Sequence, residues 1–460
     1  MRTMNEENQQ TQDAFSSYEE AVEWITGLVP VGIRPGLKRM ETMMEMLGHP
    51  ERRLRFIHVG GTNGKGSTCA YLTKVLVRAG YDVGTFTSPY LERFTSRLRY
   101  NEKDIPDEDL LRMANRVKPI ADELAQTELG HPTMFEVTTA VALLYYGTVT
   151  YPDYVVWEVG LGGRLDSTNI VAPVVSVITN VGHDHMDVLG DTIEKVAFEK
   201  AGIIKPGVAV VSAVEQPEAV EVLEQACRER KCSLYLLDRE FRFEAVSSEL
   251  NRQEFDFESP FRRIEGLAIS MNGYHQYKNA AVAVMVLEVL RQYYALLVED
   301  EDLNAALYET QWPGRLEMIG ENPRILIDGA HNPEGAEMLA DAIGTTYPHD
   351  KVHLMMGMLA TKEHSGYLKH ILAVVDTLVI TEPDFRKKMD AEKLAELARS
   401  MAEEANRQIE IVVEPDWKQA LARLKAQTGP DDLAVVSGTL YLISDVRSWV
   451  INRTDSEKGW

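Results

Sequence analysis

Short apolar runs alternate with longer amphipathic stretches along almost the whole chain, the pattern of βαβ units that build a mostly parallel sheet. LRFIHV (54–59) reads as a buried strand and STCAYLTKVLVRAG (67–80) as the helix after it. YDVGTF (81–86), YVVWEV (154–159), VVSVIT (174–179) and VAVVSA (208–213) read as further strands. Residues 233–272 are more β-like and irregular, which predicts a small antiparallel element. A second series follows Pro313: RILID (324–328), VHLMMGM (352–358), TLVIT (377–381), IEIVV (409–413) and LAVVSG (433–438), each beside a helical stretch. That is enough for a separate, Rossmann-like doubly wound domain. The chain of 460 residues is long enough for both. The expected architecture is α/β in two parts with a cleft between them. A flexible tail spans 1–17, a first domain 18–312, a turn-rich linker 313–323 (within WPGRLEMIGENPR), and a second domain 324–460.

Composition narrows the partners. The net charge is −23, which argues against a nucleic-acid coat or an anionic membrane surface, since both need a basic face. A local cationic pocket for small anions remains compatible with it. The cysteines are Cys69, Cys227 and Cys232. Their odd number and their spacing suit neither a zinc site nor a disulfide framework, so they read as reduced thiols of a cytoplasmic protein. Residues 1–17 lack the apolar centre of a signal peptide, and no apolar run of about 18 residues suggests a membrane span.

Between the first strand and helix lies GGTNGKGST (60–68). It departs from the phosphate-loop pattern G-x-x-x-x-G-K-[ST]: Gly66 separates Lys65 from Ser67, and the spacer before Gly64 is one residue short. The setting is that of a P-loop ATPase. Glycines let backbone N–H groups close round phosphate oxygens, the helix N-terminus adds partial positive charge, and Lys65 reaches the terminal phosphates. The inserted glycine turns the next side chain by about a third of a helical turn, away from the usual magnesium position. Another oxygen must then serve the metal. Glu158 is the leading carboxylate, because it ends the strand YVVWEV before the turn GLGGR, and strand carboxyl ends face the ligand crevice. The cluster TNVGHDHMDVLGD (179–191) adds two histidines and three acids, with Lys200 on the helix that follows. It reads as a metal site or as a solvated polar loop. An ordinary ammonium at Lys200 coordinates no metal.

The chain resembles folylpolyglutamate synthase and the bifunctional dihydrofolate synthase of the Mur ligase superfamily. The carriers are GIRPGLKRM (32–40), HVGGTNGKGST (58–68), TSPYLERF (87–94), FEVTT (135–139), EVGLGGRLDSTN (158–169), GHDH with EKAGIIKP (199–206), WPGRLE (312–317), DGAHNP (328–333) and SGTLYLISDVR (437–447). The order and spacing of these motifs, from about residue 18 to 450, make the resemblance specific. It departs from the family's pattern at Gly60, where alanine is common, and at Tyr90, where histidine is frequent.

The resemblance implies that G-K-G-S is this family's rule, with Gly64, Lys65, Gly66 and Ser67 around the ATP phosphates. It implies two magnesium ions, one on Ser88 and Glu158, the second on Glu158, His185 and Lys200, the lysine being carbamylated in relatives. Asn279 matches a residue near adenine, and Arg315 and Asp328 match nucleotide contacts. His331 and Ser437 match residues that place the incoming glutamate. Phe135, Glu136, Leu165, Asp166 and Ser167 match the pterin side. Taken singly, several have plainer readings: Asp328 and His331 as a turn, Asn279 as a helix cap, Arg315 as a partner of Glu317.

The implied reaction is ATP-dependent addition of L-glutamate to a folate, to dihydropteroate, or to both, through an acyl phosphate, with Lys65, Glu158, His185, Lys200 and His331 as the catalytic set. The implied enzyme is monomeric. Rival readings are a Mur-type cell-wall amino-acid ligase, against which segments 32–40 and 133–139 speak, a nucleotide-gated binding protein, and a metal hydrolase built on HDH.

Overall fold

A computed structural model describes residues 13–28 and 34–457. Residues 1–12 of the expected tail, and Gly32 and Ile33 of the segment 32–40, lie outside the described residues. Residues 13–17 are not a loose tail. Phe15 exchanges two hydrogen bonds with the Asn115 side chain at 2.9 and 3.0 Å and packs on Trp24, and Ser17 caps the helix Tyr18–Gly27.

The first domain is built on an eight-stranded sheet. From one edge its order is Lys103–Asp104, Leu98–Tyr100, Val83–Phe86, Tyr154–Glu158, Phe56–Gly60, Pro173–Ile178, Ala209–Ser212 and Leu234–Leu236. The first two pairings in that order are antiparallel and the other five are parallel. Phe56–Gly60 and Tyr154–Glu158 are buried throughout, which is why they read as unbroken apolar runs. Helices Asp107–Ala125 and Met134–Tyr145 cover one face of the sheet. The loop helix Lys65–Arg78 and the helix Tyr274–Tyr294 cover the other. The expected antiparallel element is a three-stranded sheet, Arg242–Glu249, Arg252–Glu258 and Arg263–Ile269, closing over Tyr274–Tyr294. The run at 234–236 instead extends the main sheet.

The second domain holds six strands in the order Glu317–Glu321, Arg324–Ile327, Leu433–Ser437, Val352–Met356, Thr377–Ile380 and Glu410–Val413. All pairings are parallel except the first. All five runs expected there are strands. The stretch 313–323, expected to be a linker, also carries the edge strand Glu317–Glu321. It forms because the turn before Arg324 folds it back antiparallel, and its mixed exposure hides the strand pattern. Parallel strands of both sheets end toward the junction between the domains, so ligand-facing strand ends meet there. Among the described residues no helix is long and apolar enough to cross a membrane.

Candidate active site

The loop 60–68 joins a buried strand to the loop helix. Gly64 is its N-cap with φ 82°, a left-handed value that a Cβ would strain. A Cβ there would also lie 2.4 Å from Asn279 Oδ1, so Asn279 sits directly on the loop. The amides of Lys65, Gly66 and Ser67 open the helix and have no i−4 carbonyl, which leaves them pointing out of its N-terminus. Two residues after the strand Pro173–Ile178 pin the loop: the Asn180 side chain accepts from the N–H of Thr62 at 3.1 Å and of Asn63 at 2.8 Å, and Thr179 Oγ1 donates to Asn63 O at 2.6 Å. Lys65 Nζ donates to Gly61 O and Thr62 O at 3.1 and 3.2 Å. The Ser67 hydroxyl accepts from Gln276 Nε2 at 3.4 Å and is 2% exposed. It therefore faces the neighbouring helix, as the inserted glycine led us to expect, and only its amide is left for a phosphate.

Glu158 is buried at the end of its strand and accepts the Ser88 N–H at 2.8 Å through Oε2. Burial pushes its carboxyl up, while Lys65, the Ser88 N–H, Arg315 and Arg97 pull the other way. Its other oxygen meets no donor among the described residues, which leaves a lone-pair face for a cation. Ser88, Glu158 and Arg315 line one cavity of about 140 Å³ at the domain junction. Lys200 is 3% exposed and forms no hydrogen bond or ion pair with a described residue. Its amine is pushed down to about 7, by burial first and then by Lys65, with Asp184 acting in the opposite sense. Among the described residues no three His, Cys, Asp or Glu side chains form a metal cage. A metal here must draw on a hydroxyl or a modified lysine as well.

His185 belongs to a cluster that bridges the domains. Asp184 Oδ1 lies 2.6 Å from Lys362 Nζ, and Oδ2 lies 3.4 Å from His331 Nε2. His185 Nε2 lies 3.4 Å from Lys362 Nζ. Burial alone would raise the Asp184 carboxyl, but His331, Lys362 and His185 hold it well below the usual carboxylate range. His331 Nδ1 donates to Gly329 O at 2.8 Å, which fixes the ring with Nε2 toward Asp184. Beside it, Asn63 and Asn332 exchange amide hydrogen bonds at 3.2 and 3.1 Å, and His183 donates its N–H to Glu334 Oε1 at 2.9 Å. Asn332 also caps the helix Pro333–Thr346.

Arg315 and Asp328 meet at the linker. Asp328 accepts the N–H groups of Leu316 at 2.9 Å and Ala330 at 2.8 Å, and Arg315 counters the burial that raises its carboxyl. The pairing expected between Arg315 and Glu317 is not made; Glu317 binds Arg447 at 2.9 Å. Ser437, fully buried, accepts from Tyr367 Oη at 3.0 Å and donates to Ala330 O at 3.3 Å. Its hydroxyl thus braces the turn carrying His331.

On the other side of Glu158, Phe135 and Asp166 converge on Gly160, whose Cβ would lie 2.5 Å from Phe135 Cζ and 3.1 Å from Asp166 Oδ2. Asp166 caps the turn Ser167–Ile170 and accepts the Leu161 N–H at 2.9 Å. Leu165 O accepts the Gly36 N–H at 3.5 Å, joining the segment 34–40 to this group, and Leu165 and Ser167 are half-buried. Glu136, expected beside Phe135 on the acceptor side, turns away. Its carboxylate completes a capping box with Thr133 and takes Arg39 Nε at 2.9 Å, because a buried acid at the third helical position is best satisfied by the free amides of that helix. Sequence reasoning missed Thr179, Asn180, Asn332, Lys362 and Trp312. Thr179, Asn180, Asn332 and Trp312 carried a signal, since each lies inside a motif quoted above, whereas Lys362 lies in none of them.

Two family models match the chain: Mur ligase middle domain over residues 59–287 and Mur ligase, glutamate ligase domain over residues 314–440. A dihydrofolate synthase/folylpolyglutamate synthase of Bacillus subtilis is 38% identical over 440 residues, covering 94% of this chain and 99% of that protein. A folylpolyglutamate synthase of Lacticaseibacillus casei is 32% identical over 436 residues, covering 95% and 99%. The crystal structure of a folylpolyglutamate synthase from Thermotoga maritima superposes with a TM-score of 0.82 at 32% identity, covering 96% of this chain and 98% of that one. Escherichia coli FolC in complex with DHPP and ADP superposes with a TM-score of 0.84 at 28% identity, covering 96% and 100%. Both domains are matched in chain order and the relatives align along nearly their whole length, so the chain belongs to the folylpolyglutamate synthase/dihydrofolate synthase family of Mur ligases, a family of ATP-dependent ligases.

Proposed function

We propose that this enzyme joins L-glutamate to a folate or to dihydropteroate at the expense of ATP, working as a cytoplasmic monomer. One observation carries the reading: the phosphate loop, the buried Glu158–Ser88 pair and the second-domain side chains His331 and Lys362 all converge on one junction. The relatives with bound ADP and DHPP support it.

ATP phosphates are cradled by the amides of Gly64 to Ser67, with Lys65 exchanging its loop carbonyls for phosphate oxygens. Asn279, Arg315 and Asp328 border the nucleoside. The acceptor lies along Phe135, Leu165, Asp166 and Ser167 and brings its carboxylate to the Glu158 side. A carboxylate oxygen attacks the γ-phosphorus, the bond to the β,γ-bridging oxygen breaks, and ADP departs, leaving an acyl phosphate. Lys65 stabilises charge on the transferred group. His331, Lys362 and the turn braced by Ser437 hold the glutamate carboxylates. Its amine then attacks the acyl carbon, loses a proton, and expels inorganic phosphate. Domain contacts such as Asn63–Asn332 keep water from the acyl phosphate.

Magnesium fits Glu158 and Ser88, since the carboxylate keeps one oxygen without a donor. A second ion would draw on Glu158, His185 and a carbamate formed on Lys200. Bound magnesium screens the repulsion between two anions. For Lys200 the chain supplies a buried, unpartnered amine, neutral often enough near pH 7 to add carbon dioxide.

The test is glutamate-dependent ADP release, assayed in parallel with dihydropteroate and with tetrahydrofolate monoglutamate. Release with either acceptor supports the reading and shows whether one or both reactions occur. No glutamate-dependent release with either would refute it.

A further inference from the structure

Arg97 ends a short turn, Phe94–Arg97, and its carbonyl accepts the Thr87 N–H at 3.0 Å. That contact sets it beside the Thr87–Ser88 segment whose amide holds Glu158. The side chain is only 4% exposed. Its guanidinium lies over the Tyr90 ring at 4.9 Å and the Phe94 ring at 5.7 Å. It forms no ion pair with a described residue, and its Nε has no hydrogen-bond partner. Several neighbouring cations are matched, Arg99 by Asp104, Arg447 by Glu317, Arg39 by Glu136 and Lys362 by Asp184, whereas Lys65 and Arg315 donate only to backbone carbonyls and, like Arg97, form no ion pair with a described residue.

A buried guanidinium without a counter-charge is costly, because the rings return only part of the lost hydration. Burial duly lowers its proton affinity, and the opposing influences come from Tyr90, Tyr441 and Glu158. Tyr90 and Glu158 line the same junction cavity, where the acceptor carboxylate reaches the phosphate loop. Arg97 stands behind the Tyr90 ring of that lining, so an anion arriving there would approach a positive charge that no acid is paired with. The two acceptor classes differ in this respect. Dihydropteroate offers one carboxylate, which is the one that reacts. A glutamylated folate offers the reacting γ-carboxylate and, a short carbon chain away, an α-carboxylate that stays charged throughout.

Building on the function proposed above, we propose that Arg97 is a specificity-determining residue that reads the second, non-reacting carboxylate of a glutamylated acceptor. It favours extension of a glutamate chain over addition of the first glutamate.

The experiment compares wild type, Arg97→Gln and Arg97→Lys by calorimetric binding of tetrahydropteroylmonoglutamate and of tetrahydropteroate, with KM for each acceptor that turns over. We expect Arg97→Gln to weaken the glutamylated ligand about 10-fold or more and tetrahydropteroate less than about 3-fold, the range of one lost charge-assisted contact. Arg97→Lys keeps the charge without the planar fork and should fall between. Should the glutamine variant fail to fold, the lysine variant alone decides by the same ratio. Equal weakening of both ligands, or no change in either, overturns the inference. Wild-type protein that binds neither ligand and releases no ADP would instead overturn the function on which it rests.

Discussion

Gly66 is a site where one methyl group should have a calculable effect. The residue lies in the first turn of the loop helix and has an ordinary backbone conformation, so alanine would by propensity alone stabilise the helix by roughly 1 kcal/mol. The obstacle is steric. A Cβ at Gly66 would stand 2.7 Å from Trp312 Nε1, with Cε2 and Cζ2 at 3.0 and 3.1 Å, where ordinary contact begins at 3.4 Å. The indole must retreat, and it is also the ring under Arg99, whose guanidinium carbon lies 5.7 Å away. Overpacking of this kind costs about 1–3 kcal/mol, and a loosened cation–π contact about 0.5–1 kcal/mol more. Against the helix gain, Gly66→Ala should lose about 0.5–3 kcal/mol. If that loss falls on ATP binding, as the position of Trp312 on the junction cavity suggests, affinity drops roughly 2- to 150-fold. Calorimetry with ATP reads the affinity, and urea unfolding reads whatever part falls on stability. In a Trp312→Ala background the same substitution should cost less than about 0.5 kcal/mol, because the clash is gone. An equal cost in both backgrounds would refute the reasoning and mean that the methyl group obstructs phosphate itself.

The other expectations concern the charged groups. Lys65→Ala should lower turnover by about 100-fold or more while leaving the far-ultraviolet spectrum and unfolding midpoint near wild type, since among the described residues its hydrogen bonds go to two loop carbonyls; near-normal turnover would remove it from phosphate transfer. Glu158→Gln can still accept the Ser88 N–H, so the fold should hold while the magnesium dependence of the rate shifts to much higher concentration or vanishes; an unchanged magnesium titration would exclude Glu158 from the metal site. Wild-type protein in ¹³C-bicarbonate should give a carbamate resonance that Lys200→Met lacks, and no such resonance under bicarbonate-replete conditions would exclude the modification. Lys200→Met also carries a stability signature. The folded amine is pushed down to about 7 and the unfolded one keeps the ordinary lysine value of 10.5, so the unfolded chain binds more protons between those values. The penalty is therefore full below pH 7 and relieved as pH rises toward 10.5. The stabilisation by methionine, read from unfolding midpoints, should be larger at pH 6 than at pH 10, and a pH-independent difference would show that Lys200 is not the buried ammonium described.

Much of this fold is legible because strands of a covered parallel sheet must be apolar on both faces, and five such runs in each half appear as uninterrupted letters. Leu234–Leu236 and Glu317–Glu321 escape that logic: one is three residues long, and the other is an edge strand with two of its five residues exposed and none buried. The positions of Gly64, Lys65 and Glu158 could be read because they follow from local geometry, a turn into a helix and the end of a strand. The bridge Asp184–Lys362–His331 could not, since its partners are separated by 178 and 147 positions and no periodicity links them. Glu136 shows the opposite failure. Its motif pointed to substrate, while the nearer demand of its own helix N-terminus and of Arg39 claimed the carboxylate.

The two halves of the site are organised by charge in different ways, and the difference bears on order of events. On the second-domain side, the Lys362 ammonium that would hold glutamate is already matched by Asp184, an acid from the first domain, so glutamate must compete with a protein carboxylate and its entry loosens a contact between domains. On the acceptor side, Arg97 is unmatched and Glu158 keeps an oxygen without a donor, so acceptor and metal add interactions without displacing any. Binding there is favoured in the joined arrangement, whereas glutamate binding trades one ion pair for another. An enzyme that must form an acyl phosphate before an amine consumes it is served by that asymmetry: nucleotide and acceptor stabilise the closed junction first, and the last substrate enters by replacing Asp184.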